Sequence, residues 1–226
     1  MSQTSRPPQD LLGEVRGSLG RATDRRSFLR TVGVAGAVIT VASCDDDPIT
    51  PDPGAGVTLD FSSDFGVLNY AYALEQLEAA FYTQAVSSPF SDAMSGDIAA
   101  LTAVRDHEVA HREFFKAALG ANAVGALSVD FSDIDFDSRA SVLATAQTFE
   151  DLGVGAYNGA AKYLSDVNFL TAAGKIVSVE ARHASVIRTM LGNSFAPDAF
   201  DDALAPSAVL AAADPYITTQ IILTNA

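Results

Sequence analysis

The sequence predicts an all-α domain, an antiparallel four-helix bundle, on three observations. Four segments carry apolar residues at alternating spacings of three and four, the period of a helix with one buried stripe. Ala is abundant and Trp absent in a chain that is 48% apolar, which suits closely packed helices better than a β-sandwich. Gly, Pro, Ser and Asn cluster where each stripe stops. At 226 residues there is room for one sizeable domain plus a tail or two.

Residues 1–43 read as an export segment rather than as part of the fold. Arg25-Arg26-Ser27-Phe28-Leu29-Arg30 precedes an uncharged stretch from Thr31 to Ser43, and Cys44 follows. A pair of arginines before a short apolar run is a twin-arginine export address. The run is too short to span a bilayer as a helix. Val41-Ala42-Ser43-Cys44 resembles a bacterial lipobox, so Cys44 is expected to be acylated and to become the mature N-terminus, anchoring the protein to the membrane of the cell envelope. The alternative is an ordinary signal peptide with an incidental cysteine. As the single cysteine, Cys44 leaves no internal disulfide framework. Residues 44–63, rich in Asp, Pro and Gly, read as a flexible, disordered tether.

The bundle is expected over residues 64–193. A first helix covers residues 65–86 and stops at Ser87-Ser88-Pro89. A second covers 95–119, with Gly120 placed to end it. An Asp-rich crossover at 122–137 leads to a third helix over 138–164. The fourth covers 168–191 and ends at Gly192-Asn193. The C-terminal tail, residues 194–226, holds Ala-rich and apolar pieces expected to pack on the bundle.

Each stripe is apolar or small except at its middle, where it carries Glu. The first reads Leu68, Ala71, Glu75, Glu78, Tyr82, Ala85 and the second Leu101, Val104, Glu108, His111, Phe115, Ala118. The third reads Leu143, Ala146, Glu150, Gly153, Tyr157, Ala160, Leu164, and the fourth Ala173, Ile176, Glu180, His183, Ile187, Met190. There are 21 Asp but only 7 Glu, so Glu at these places is a choice of reach from backbone to bundle axis. Buried carboxylates facing one another would repel, and some would have to take up protons. Two divalent ions remove the problem, four positive charges against four negative. Glu108/His111 and Glu180/His183 lie three apart on one helical face, so each pair can reach one ion. Oxygen donors with two imidazoles suit iron(II) or manganese(II), and zinc less. The candidate ligands are therefore Glu75, Glu108, His111, Glu150, Glu180 and His183.

An internal repeat supports this set. Glu75 is followed seven residues on by Tyr82 and then by Glu108/His111; Glu150 is followed seven on by Tyr157 and then by Glu180/His183. The repeat favours Glu75 as the first-helix ligand. Glu78, aligned with Gly153, stands as an extra ligand, a partner of the ligands or a rim residue. Tyr82 and Tyr157 are candidates for hydrogen bonds to ligand carboxylates, with simple packing as the rival. His107-Glu108-Val109-Ala110-His111 also spells the HExxH zinc-protease signature, but that reading needs a third ligand and leaves Glu180/His183 unexplained. His107, one position off the stripe, reads as a flanking, partly exposed residue.

Four stretches carry a family resemblance: Leu74-Glu75-Gln76-Leu77-Glu78-Ala79-Ala80-Phe81-Tyr82, His107 to His111, Ala144 to Asp151, and Val179-Glu180-Ala181-Arg182-His183. They look like the ferritin-like domain family that includes desiccation-related proteins, over residues 64–193. Ferritins, rubrerythrins and manganese catalases are more distant relatives with this ligand set. The resemblance implies the bundle and a dinuclear centre, and says little about the reaction, because the family is defined better by fold than by activity.

The net charge of −14 argues against nucleic acid as a partner. Removal of residues 1–43 leaves 8 Lys+Arg against 25 Asp+Glu, a balance of −17. The expected activity is redox handling of dioxygen, peroxide or the metal ions themselves, ferroxidase-like with iron or catalase-like with manganese. The rival is a stress-related structural or binding module in which metal only stiffens the bundle. A lipid tether disfavours a closed cage and leaves a homodimer open.

Overall fold

The computed structural model describes residues 56–226; the twin-arginine stretch, Cys44 and most of the predicted tether lie outside them. Four long helices form: α1 (Asp64–Ser87), α2 (Asp97–Leu119), α3 (Arg139–Ala160) and α4 (Val167–Met190). Each begins or ends where the chain supplies a cap. Ser63 accepts from Gly66 N at the start of α1, Ser138 from Ser141 N at α3, and Asp166 from Asn168 N at α4. Asp64 also accepts from the backbone of Ser165 and Asp166, at 2.8 and 2.9 Å, tying the start of α1 to that of α4. α2 starts two residues later than the sequence pattern suggests, because Gly96 is left-handed (φ 95°) and a right-handed helix cannot pass through it. α3 stops short of residue 164, its last turn tightening into a 3-10 turn at Ala161–Tyr163.

The core sets the direction of the helices. One apolar cluster joins Phe81 and Ala85 late in α1, Leu101 and Val104 early in α2, Leu143, Ala146 and Phe149 early in α3, and Ile187 late in α4. A second joins Leu68, Ala71 and Tyr72 early in α1, Phe115 and Leu119 late in α2, Tyr157 in α3, and Ala173 and Ile176 early in α4. So α1 and α4 run one way and α2 and α3 the other, with the polar residues held between two apolar ends. At the first end Arg139 binds Asp97 at 2.6 Å and Met190 O at 2.9 Å, tying α2, α3 and α4 together.

Because α2 and α3 are parallel, the segment between them must travel the length of the bundle. It runs along α1. Asn69 donates to Asn122 O and accepts from Val124 N; two turns on, Gln76 donates to Gly125 O and accepts from Leu127 N. Phe131 and Phe136 then meet Phe81, with ring centres 5.9 and 5.8 Å away. Two side-chain amides thus satisfy backbone that has no helix of its own.

The tail packs on α3 and then reaches the crossover, where Thr218 N donates to Ser128 O. Leu204 N donates to Gly155 O at 2.9 Å, and the chain passes so close that a Cβ on Gly159 would lie 1.7 Å from Leu204 O. A short helix α5 (Pro206–Ala213) buries Val209 and Ala213, and Tyr216 packs edge-on against Phe149. The chain ends in strand β2 (Ile221–Thr224), paired in parallel with β1 (Val57–Asp60), Val57 opposite Ile221.

That pairing corrects the predicted tether, which runs too far. Leu59 is fully buried and Phe61 nearly so, and residues 57–63 belong to the folded domain. A two-stranded sheet is marginal alone. This one leans on α1, where Gly66 sits against Asp60 O with no room for a Cβ. Among the described residues no helix is long and apolar enough to cross a membrane.

Candidate metal centre

The four helices bring all six candidate ligands to one level of the bundle. Glu75 comes from α1, Glu108 and His111 from α2, Glu150 from α3, and Glu180 and His183 from α4. The four carboxylates are 0% exposed and His183 is 4% exposed. Donor atoms gather in two groups, each lying within 4.8 Å of one another: Glu75, Glu108, His111 and Glu180 in one, Glu108, Glu150, Glu180 and His183 in the other. Glu108 and Glu180 belong to both.

The two shared carboxylates are split oxygen by oxygen. His111 Nδ1 lies 3.3 Å from Glu108 Oε2, 3.0 Å from Glu180 Oε1 and 3.4 Å from Glu75 Oε2. His183 Nδ1 lies 2.7 Å from Glu108 Oε1, 3.6 Å from Glu180 Oε2 and 3.4 Å from Glu150 Oε2. Each half is the image of the other. The Glu-x-x-His spacing on α2 and α4 and the single Glu on α1 and α3 generate that symmetry.

Tyrosines claim the remaining oxygens of the two unshared carboxylates, and they do so across the bundle. Tyr82 of α1 donates to Glu150 Oε1 of α3 at 2.5 Å, and Tyr157 of α3 donates to Glu75 Oε1 of α1. The sequence spacing placed each tyrosine two turns from a Glu on its own helix; its partner is the Glu of the other hairpin. What is left over is telling. Glu75 Oε2, Glu150 Oε2, Glu108 Oε1, both Glu180 oxygens and His183 Nδ1 are buried without a hydrogen-bond partner. Although His183 Nδ1 and Glu108 Oε1 are 2.7 Å apart, they are not aligned as donor and acceptor. Buried polar atoms in native proteins are nearly always satisfied. Six orphans converging on two points fit a pair of cations.

Electrostatics without metal agrees. Burial, and then the neighbouring carboxylates, hold Glu75, Glu78 and Glu150 well above the ordinary carboxylate range despite the nearby imidazoles. Burial works against charge on the two imidazoles too, but the carboxylates around them outweigh it and push both up to about 12. Glu108, although buried, is brought down to about 2 by His111 and His183. Without cations, three of the buried carboxylates and both imidazoles therefore hold protons more tightly than they would in water.

Glu78 and His107 complete the surroundings. Glu78 is buried but belongs to neither donor group; its Oε1 lies 3.1 Å from where a Cβ on Gly153 would be. The missing side chain at Gly153 is what admits it. His107 is absent from both groups, which removes the HExxH zinc reading. It is exposed as expected, but not idle: its Nδ1 lies 2.8 Å from His183 Nε2, and the two rings meet edge to edge with their planes 16° apart. The sequence pattern missed this because His107 is one position off its own helix's stripe, and its partner is on another helix.

Fold and donor set define a helical bundle with a central carboxylate–imidazole cluster able to hold divalent cations. Residues 63–193, more than half of the chain, match the ferritin-like domain, and the chain belongs to that family. No curated protein matches it.

Proposed function

We propose that this chain is a dinuclear metal protein of the cell envelope, with iron or manganese at the two positions, that handles small oxidants or the metal ions themselves. One observation carries the reading: Glu108 and Glu180 each turn one oxygen toward His111 and the other toward His183. Glu75 and His111 would complete one position, and Glu150 and His183 the other. Four carboxylates against two imidazoles favour iron(II) or manganese(II) over zinc. Two such ions, once bound, would supply two-electron exchange with a small oxidant.

The chain's own residues set the terms of that chemistry. Tyr82 and Tyr157 hold Glu150 and Glu75 by one oxygen, so the other faces the centre. The apolar clusters at both ends exclude bulk water, and full burial of the four carboxylates restricts access to ions and very small molecules. Glu78 is buried beside the cluster, and burial, with the neighbouring carboxylates, raises its carboxyl well above the ordinary range in the metal-free protein. Location rests on the sequence: the twin arginines Arg25-Arg26 suit a protein exported already folded, and Cys44 supplies a lipid anchor.

The test is elemental analysis of protein purified from its native compartment, followed by assays of peroxide removal and ferrous-iron oxidation. Two iron or manganese ions per chain with turnover support the proposal. Two ions without turnover favour a stress-related bundle that metal merely stiffens, and absence of metal refutes the centre. For the anchor, Cys44→Ala is expected to release the protein from membranes; unchanged retention would remove the lipoprotein reading.

A further inference from the structure

We propose that His107 is a positioning residue that makes the two metal positions unequal, so that the position at His183 is the tighter and fills first. The inference rests on the dinuclear reading above. It deepens it by assigning a role to a side chain outside the ligand set.

His183 presents Nδ1 to the carboxylates of Glu108, Glu150 and Glu180. To ligate an ion there, Nδ1 must offer its lone pair, which puts the ring's proton on Nε2. That Nε2–H then donates to His107 Nδ1 across 2.8 Å. The rings are held nearly parallel, 16° apart with centres at 5.1 Å, which fixes the plane in which His183 can turn. An imidazole acceptor does this without adding another negative charge to a site already crowded with them. Partners of this kind fix the tautomer and orientation of a ligating histidine.

The other half of the site has no equivalent. His107 immediately precedes Glu108 in one Glu-x-x-His motif; Val179 immediately precedes Glu180 in the other and has no atom that can accept a proton. Among the described residues His111 makes its polar contacts through Nδ1 only, to Glu75, Glu108 and Glu180. The centre is thus two-fold in its ligands and one-sided in its support.

The experiment is a titration of the metal-stripped full-length protein with cobalt(II), followed by its visible d–d absorption. Wild type is expected to fill in two resolved steps. His107→Ala, at an exposed position that leaves the core intact, should weaken the first step about 10- to 100-fold and leave the second in place. His107→Asn, whose Oδ1 can stand where Nδ1 stood, should recover most of the loss. Wild-type filling in a single step, a His107→Ala titration identical to wild type, or equal weakening of both steps would overturn the inference while the dinuclear reading stands. Failure of wild type to bind cobalt at all would take down both.

Discussion

At the scale of single residues, the site is a matter of which oxygen faces which partner. Tyr82 and Tyr157 each reach across to the opposite hairpin and fix one oxygen of Glu150 and Glu75. Tyr82→Phe deletes one donor without opening a cavity, so the fold should survive while Glu150 loses its orientation. We expect affinity at the His183 position to fall about 10- to 100-fold by titration; an unchanged isotherm would reduce Tyr82 to packing. Glu78 separates ligand from neighbour. It lies outside both donor groups, so Glu78→Gln should keep two ions per chain in elemental analysis, whereas Glu75→Gln should lose at least one. Loss of metal from Glu78→Gln would promote it to the ligand set. Much at this scale was legible in the sequence. Three-residue spacing on a helix places Glu108 with His111 and Glu180 with His183 whatever the loops do. The tyrosine partners and the His107–His183 contact were not legible, because they join helices and no spacing within one helix reports on them.

At the scale of elements, close approach explains what periodicity could not. The crossover follows α1 because Asn69 and Gln76, two turns apart, offer amides to its backbone. The tail lies on α3 because Gly155 and Gly159 leave its surface bare. Gly159→Ala would drive a methyl group into Leu204 O, a contact that no side-chain rotation relieves. We expect it to lower stability by about 1–3 kcal/mol and to expose residues 204–224 to proteolysis; an unchanged melting temperature would show that the tail is dispensable. Strand β1 escaped the sequence reading for a related reason. Its partner β2 lies at the far end of the chain, and four residues among Asp, Pro and Gly look like the tether before them. The four helices were legible within a few residues because stripe, cap and breaker agree at each.

For the whole molecule, the buried charge couples metal, protons and stability. Glu75, Glu78 and Glu150 have folded pKa values raised above the ordinary 4.5, and those of His111 and His183 are raised from 6.5 to about 12. A raised folded pKa means that the native state holds the proton more tightly than the unfolded chain does. That stabilisation is complete below the unfolded value and is lost as pH rises toward the folded one. Metal-free protein should therefore melt at progressively lower temperature from pH 5 to pH 8. The depressed value of Glu108 acts in the opposite sense only at the acid end, toward about 2. Metal must displace the same protons, so its affinity should rise over this range and the stabilisation it confers should widen. Differential scanning calorimetry with and without manganese(II) checks both slopes; a metal-free melting temperature that climbs toward pH 8 would contradict the proton-for-cation exchange.

The most direct test of the shared carboxylates is an anomalous-difference map from crystals of the metal-loaded protein. Two peaks about 3.5–4 Å apart are predicted between the helices, both contacted by Glu108 and Glu180, one capped by His111 and the other by His183. A lone peak, or peaks only at the protein surface, would contradict a two-ion centre.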